Sequence, residues 1–195
     1  MSRMDDWLKK YLEEFSRVVS KISRKQIEGF TNEFRRALDE DRSIFVIGNG
    51  GSASNASHFA TDLGKGASLA VGKRFKCMSL NDNVSWITAI ANDQSFNDVY
   101  VDQLKNFAQS GDLLFSISVS GNSPNIVSAV EWAKDNGLLT LALAGGGEGK
   151  IVELCDKAIV IDSEHYGRVE DAQMVICHMI CYAFMENPDY CKIDS

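Results

Sequence analysis

The chain has 195 residues, enough for one domain with a sizeable buried core. It is 45% hydrophobic and 24% charged with a formal net charge of -7, which excludes a protein that tracks a nucleic-acid backbone along a basic stripe. The start, Met1-Ser2-Arg3-Met4-Asp5-Asp6, lacks the basic-then-apolar texture of a signal peptide, and no apolar run reaches membrane-spanning length, so no nucleic-acid or membrane partner and a cytoplasmic location are expected.

In chain order, residues 4–40 read as helix. Met4, Trp7, Leu8, Tyr11, Leu12, Phe15, Val18, Val19 and Ile22 recur at spacings of three and four, and a second apolar series runs Ile27, Phe30, Phe34, Ala37, Leu38. Gly29 and Thr31 suggest a break or bend between them. Two long helices ahead of the first strand exceed what a minimal α/β core needs, so residues 1–42 are expected to pack against another subunit.

From residue 43 short apolar runs take over: Ile44–Ile47, Phe75–Met78, Leu113–Ser116, Leu139–Leu143 and Ala158–Ile161. Helical stretches separate them, at Ala53–Leu63, Val84–Ile90, Tyr100–Gln109 and Asn125–Asn136, the last capped by Gly137. A final helix, roughly Val169–Met185, stops before Pro188. Strands alternating with helices predict a three-layer α/β/α sandwich around a parallel sheet, in one domain over 1–195. The five cysteines, Cys77, Cys155, Cys177, Cys181 and Cys191, are scattered and read as reduced buried thiols. Cys177 and Cys181, four apart, offer a zinc pair that nothing else in the sequence completes.

Ligands in such a sheet sit beyond the carboxyl ends of the strands. Three loops there are rich in small residues: Gly48-Asn49-Gly50-Gly51-Ser52-Ala53-Ser54, Ser118-Val119-Ser120-Gly121-Asn122-Ser123-Pro124, and Ala144-Gly145-Gly146-Gly147-Glu148-Gly149. The second is the most informative. It holds three hydroxyls in six residues, and it ends on a residue suited to a helix N-cap followed by Pro at the first helical position. Free N–H groups and a partial positive charge at that helix start, with serine donors beside them, suit a phosphate dianion without Lys or Arg. The first loop fits a loose Gly-x-Gly-x-x-Ala dinucleotide pattern. The acid expected at the end of the next strand is missing, the nearest being Asp82 in a turn, and Gly64-Lys65-Gly66 is no Walker sequence, so no nucleotide cofactor is expected.

His58 and Asp62 are four apart on one helix, and Glu170 and His178 eight apart on another, so each pair shares a face. Two histidines and two carboxylates suit zinc or another divalent ion, and they equally suit acid–base chemistry with no metal. His165 has no evident partner.

Gly-Asn-Gly-Gly-Ser at 48–52, His58-Phe59-Ala60, Leu80-Asn81-Asp82-Asn83, Thr88-Ala89-Ile90-Ala91-Asn92-Asp93 and Ser118–Ser123 together resemble the sugar isomerase (SIS) domain, more narrowly its phosphoheptose isomerase branch. The resemblance spans essentially the whole chain. It implies a five-stranded parallel sheet between helices, a homotetramer with sites at subunit interfaces, and interconversion of a ketose phosphate and an aldose phosphate through an enediolate. The substrate implied is sedoheptulose 7-phosphate, giving D-glycero-D-manno-heptose 7-phosphate. It also implies phosphate binding by the loop of Ser118, Val119, Ser120 and Ser123, with Asn49, Gly50, Gly51 and Ser52 on the sugar and Asp93 nearby. A zinc site would fall on His58, Asp62, Glu170 and His178, and catalysis on Asp62 and His178, with Glu170 as a second candidate base.

The chain departs from the family pattern at Asp62 (usually Glu), Glu170 (usually Gln), Gly66 (an Arg), Gly167 (an Asp) and Gln173 (a His). Some relatives are non-catalytic, either replication-initiator adaptors or sensors of sugar phosphates. The adaptors tend to lose the carboxylate and the final His, which stand here as Asp62 and His178.

Overall fold

The structure is a computed structural model that describes residues 2–147 and 149–191. Glu148 of the third loop and the two ends of the 1–195 domain lie outside the described residues.

Two helices open the chain, α1 (Arg3–Ser20) and α2 (Arg24–Asp39). The break between them falls at Lys21–Ser23 and not at Gly29 or Thr31, which correct to the interior of α2. Ser23 accepts from the Gln26 N–H and starts the second helix, while the Thr31 hydroxyl bonds back to the Ile27 carbonyl and leaves the helix unbroken.

Five strands follow: β1 (Ser43–Gly48), β2 (Lys76–Ser79), β3 (Leu113–Ser118), β4 (Leu139–Gly145) and β5 (Lys157–Ile161). All pair in parallel, in the order β2-β1-β3-β4-β5. The expected five strands are all present, each within a residue or two of its apolar run.

The helices between them are α3 (Gly51–Thr61), α4 (Ser68–Val71), α5 (Val84–Asp93), α6 (Val101–Phe107), α7 (Pro124–Asp135), α8 (Lys150–Leu154) and α9 (Tyr166–Glu186). Between α3 and α4 the backbone continues as a π-helix over Asp62–Ala67. Here the Ser68 N–H reaches back five residues to the Leu63 carbonyl.

Side-chain alternation along the strands sorts the core into two slabs. Ile44, Val46, Leu113, Phe115 and Ile117 face α2, α3 and α9, with Phe30, Phe34 and Phe59 packed edge to face around Phe115. Phe45, Ile47, Leu114 and Ala142 face α5, α6 and α7. The sheet is therefore covered on both faces, as its near-continuous apolar strands require.

β1 and β3 lie side by side, while the chain leaves β1 for β2 on the other side. The strand order thus reverses between them, and a crevice opens beyond their carboxyl ends. The loops after β1 and β3 both end there. No helix among the described residues is long and apolar enough to cross a membrane.

Candidate functional site

A small cavity of about 80 Å³ sits in that crevice. Asn49, Ser52, Ser118, Val119, Ser120, Ser123, Tyr166 and Glu170 line it. The two loops and the first turns of α9 build it together.

The serine loop is wound tightly. The Ser118 hydroxyl accepts from the Gly121 N–H at 3.1 Å, and the Ser120 hydroxyl accepts from the Asn122 N–H at 3.2 Å. Both hydroxyls keep their own protons for another acceptor. Ser123 holds the N-cap position of α7 with extended backbone, but its side chain makes no capping bond. It is a cap by position only, and its hydroxyl is left at the cavity wall.

Gly121 adopts a φ of 63°, and a Cβ there would lie 2.9 Å from the Gly149 Cα. Asn122 completes this join by accepting from the Lys150 N–H at 3.0 Å. Across its described residues, the third loop is a wall against which the serine loop packs.

The loop after β1 is held by a polar network. Asn49 and Asn125 exchange reciprocal side-chain amide bonds of 2.9 Å. The Tyr100 hydroxyl donates to the Gly48 carbonyl and receives from the Asn81 amide at 2.7 Å. Burial pushes the Tyr100 hydroxyl up to about 12. Ser52, buried, donates to the Gln173 Oε1 at 3.1 Å, and the Gln173 amide reaches the Leu143 carbonyl. Gln173 is therefore a fully buried anchor joining α9, α3 and β4.

Glu170 stands between the two loops. Its carboxylate lies over Gly51 at the start of α3, where a Cβ would meet Oε1 at 2.3 Å. Only glycine lets it approach so closely.

The second constellation is a triad on the facing sides of α9 and the α3 rod. His58 Nε2 lies 3.3 Å from Asp62 Oδ2, His178 Nε2 lies 3.6 Å from the same oxygen, and the two imidazole nitrogens are 3.5 Å apart. Three vertices of a tetrahedron around zinc, at its ordinary bond lengths of about 2.1 Å, are about 3.4 Å apart. The donor atoms therefore fit a zinc ion, with a fourth position left open. Two imidazole nitrogens facing each other and one carboxylate oxygen also need a proton or a cation between them.

Within one chain Glu170 does not join this group. It shares a face of α9 with His178, but eight residues at 1.5 Å each set them about 12 Å apart along the axis. Nor does the triad line the serine cavity: one chain carries the two parts separately.

Asp93 ends α5, exposed, its carboxylate bonded to the Asn92 amide, and it does not line the cavity. Gly50 is the N-cap residue of α3 at a φ of 56°, a turn residue without a side chain to offer. Asp82 accepts from the Ser57 hydroxyl and borders an open groove of about 710 Å³ along β2, away from the first loop.

Cys177 and Cys181 are buried thiols whose ionisation burial opposes, and neither belongs to the His58–Asp62–His178 group. His165 is the N-cap of α9, accepting from the Arg168 N–H, with its ring edge-on to Tyr11.

Sequence reasoning missed Asn125, Tyr100 and Tyr166, and it named Gln173 only as a departure from the family pattern. Only Tyr166 carried a signal: it follows the loop after β5, at the same carboxyl edge as the others.

Comparison with known proteins agrees with this fold. Residues 8–145 match the family model of the SIS domain. A probable phosphoheptose isomerase of Thermoplasma volcanium is 37% identical over 174 residues, covering 89% of this chain and 88% of that protein. A phosphoheptose isomerase of Helicobacter pylori strain HPAG1 is 40% identical over 144 residues, 74% of each. The solved phosphoheptose isomerase GmhA of Neisseria gonorrhoeae superposes with a TM-score of 0.86 over 94% of this chain and 99% of that one, at 26% identity.

Proposed function

The chain belongs to the SIS domain family, in its phosphoheptose isomerase branch, and on that premise we propose that it interconverts sedoheptulose 7-phosphate and D-glycero-D-manno-heptose 7-phosphate. The observation that carries the reading is the meeting of Asp62 and His178 at 3.6 Å on the two elements that also build the serine cavity.

The phosphate enters the cavity, where the Ser118, Ser120 and Ser123 hydroxyls and the start of α7 receive it. Its binding orients the carbon chain and so lowers the entropy cost of reaction. Asp62 takes the proton from C1 of the ketose. His178 donates a proton to the carbonyl oxygen at C2 and takes one from the C1 hydroxyl, which passes charge through an enediolate. Return of the carbon proton to C2 completes the aldose. Imidazole suits the oxygen transfers because it titrates near neutral pH.

His58, Asp62 and His178 would hold zinc, which would supply Lewis-acid polarisation of the carbonyl. Zinc and the proton-shuttling role compete for the same Nε2 of His178, so activity with and without metal separates the two. Glu170, over Gly51 with the cradle, is not needed as the base.

A homotetramer fits the same reading. Met4, Trp7, Leu8 and Leu12 on α1 are 48–65% exposed, an apolar stripe suited to a further copy of the chain. A subunit interface would also bring cavity and triad of different chains together.

The non-catalytic alternative is less favoured, since both Asp62 and His178 are present and in contact. Incubation with sedoheptulose 7-phosphate, with added zinc and with chelator, tests the proposal by product analysis. Conversion in either condition is the expected result, and none in both would overturn it. His178→Ala should lower turnover by about a hundredfold to ten-thousandfold while phosphate still binds.

A further inference from the structure

The acid–base group is divided between two helices, with His58 on α3, Asp62 just past its end, and His178 on α9. The pairs Ser52–Gln173, His58–His178 and Phe59–Cys181 advance together, so the two helices run side by side in the same direction. Ala56, Phe59 and Leu63 of this rod share one buried apolar cluster with Ala172, Ile176 and Cys177 of α9. Hydrophobic burial is non-directional, and it resists a small slide of one helix along the other less sharply than a directional bond does.

One polar cross-bolt supplies such bonds. The fully buried Gln173 accepts from the Ser52 hydroxyl at 3.1 Å and from the Asn55 amide at 3.5 Å, and its own amide donates to the Leu143 carbonyl of β4 at 3.4 Å. Asn55, also buried, donates to the Glu170 backbone carbonyl at 2.9 Å. A primary amide suits this place because it offers an acceptor to one neighbour and a donor to another. An apolar side chain would fill the same space without burying polar groups, so the amide specifies an arrangement rather than adding burial. The bolt is close to the chemistry: at 1.5 Å per residue it lies about 7.5 Å along α9 from His178, and Asn55 lies about 4.5 Å along α3 from His58.

We propose that Gln173 is a positioning residue for the isomerase reaction: through Ser52, Asn55 and Leu143 it fixes the register of α9 against α3 and the sheet, and so holds His178 beside Asp62. The inference rests on the Asp62–His178 pairing of the proposed function and adds what sets its distance. A slide of α9 by a single residue rise, about 1.5 Å, is large against a separation of 3.6 Å. A displacement of about 1 Å at a reacting group can cost about a hundredfold in rate. Gln173 does not line the serine cavity and, among the described residues, does not bond to the triad, so its influence passes through the helices.

The test introduces Gln173→Met in the full-length protein, which keeps the unbranched side chain and removes the amide. For sedoheptulose 7-phosphate, kcat should fall about tenfold to a hundredfold, while KM and the affinity for inorganic phosphate stay within about threefold. Asn55→Ala, which cuts the α3 side of the bolt, should lower kcat in the same way by less, and it serves if Gln173→Met does not fold. In the double variant the two losses should not add, because both act through one contact. Gln173→His, which again offers a donor and an acceptor, should recover part of kcat. Imidazole NMR with chelator present reads the register without turnover. The chain has three histidines. The His58 and His178 signals should move in Gln173→Met, while that of His165, which meets Tyr11 of α1, stays in place. Unchanged kcat with unmoved His58 and His178 signals would overturn the inference. So would additive losses, or an equal disturbance of kcat, KM, phosphate affinity and all three imidazoles, the mark of a general core residue. A wild-type protein that converts no sedoheptulose 7-phosphate would overturn the isomerase reading, and the imidazole signals would still decide whether Gln173 sets the register.

Discussion

The loops after β1 and β3 look alike in sequence and do opposite things. Each follows a buried strand, each is built of Gly, Asn and Ser, and each leads into a helix. After β1, the polar groups are spent inside the protein: Asn49 on Asn125, Ser52 on Gln173, the Gly48 carbonyl on Tyr100. After β3, the three serines accept only from their own loop or from nothing, and all three line the cavity. A Gly-rich turn before a helix is thus not in itself a phosphate loop. What decides is whether the turn's donors are already bonded.

That contrast can be broken from either side. The largest effect is expected from Asn125→Ala, which leaves the Asn49 amide nitrogen without its partner in a part-buried network, Tyr100 still donating to the Asn49 oxygen. Leaving such a group unpaired costs about 1–3 kcal/mol, so the denaturant midpoint should fall visibly and ligand binding should fall with it. A variant with wild-type stability would show that the first loop is not held by this pair. Ser123→Ala should do the reverse. Loss of an N-cap serine ordinarily costs about 1 kcal/mol, but this hydroxyl caps nothing. Stability should change by less than that while phosphate affinity falls about tenfold. A large stability loss with intact binding would exchange the roles of the two loops.

The smallest effect lies at high pH. Burial holds Tyr100 protonated in the folded state up to about 12, against about 10 when unfolded. The folded protein then binds more protons than the unfolded chain between those values. Stability should therefore be intact below pH 10 and fall as pH rises through 12. Tyr100→Phe should lack that contribution to the alkaline slope. An unchanged slope between pH 10 and 12 would mean that the hydroxyl is not shielded as described.

The strands were legible because a sheet covered on both faces demands continuous apolar runs, and Ile44–Ile47 or Leu139–Leu143 can hardly be read otherwise. The serine cradle was legible for a local reason: a hydroxyl cluster, a Gly and a Pro at a helix start all lie within seven residues. Period alone could not separate α1 from α2, because Gly29 weighs as a breaker in sequence yet sits harmlessly in a helix whose start is set by Ser23. Glu170 stands apart from His178 within one chain for a geometric reason. Sharing a face of α9 with His178 says nothing about distance along it, and two turns are enough to put the residues at separate places. Asn125 gave no signal and Gln173 stood out only as a departure from the family pattern, since their roles depend on partners 76 and 121 residues away.

The π-helical turn at Asp62–Ala67 bears on motion as well as shape. Its looser i→i+5 bonding makes it a weak stretch in an otherwise regular rod running from α3 to α4, and Asp62 is its first residue. Slow amide exchange should thus end abruptly near residue 62, with protected protons before it and faster-exchanging ones beyond. The carboxylate of the triad would sit at the boundary between a stiff and a breathing segment, anchored through His58 on the stiff side and free to adjust by small rotations on the other.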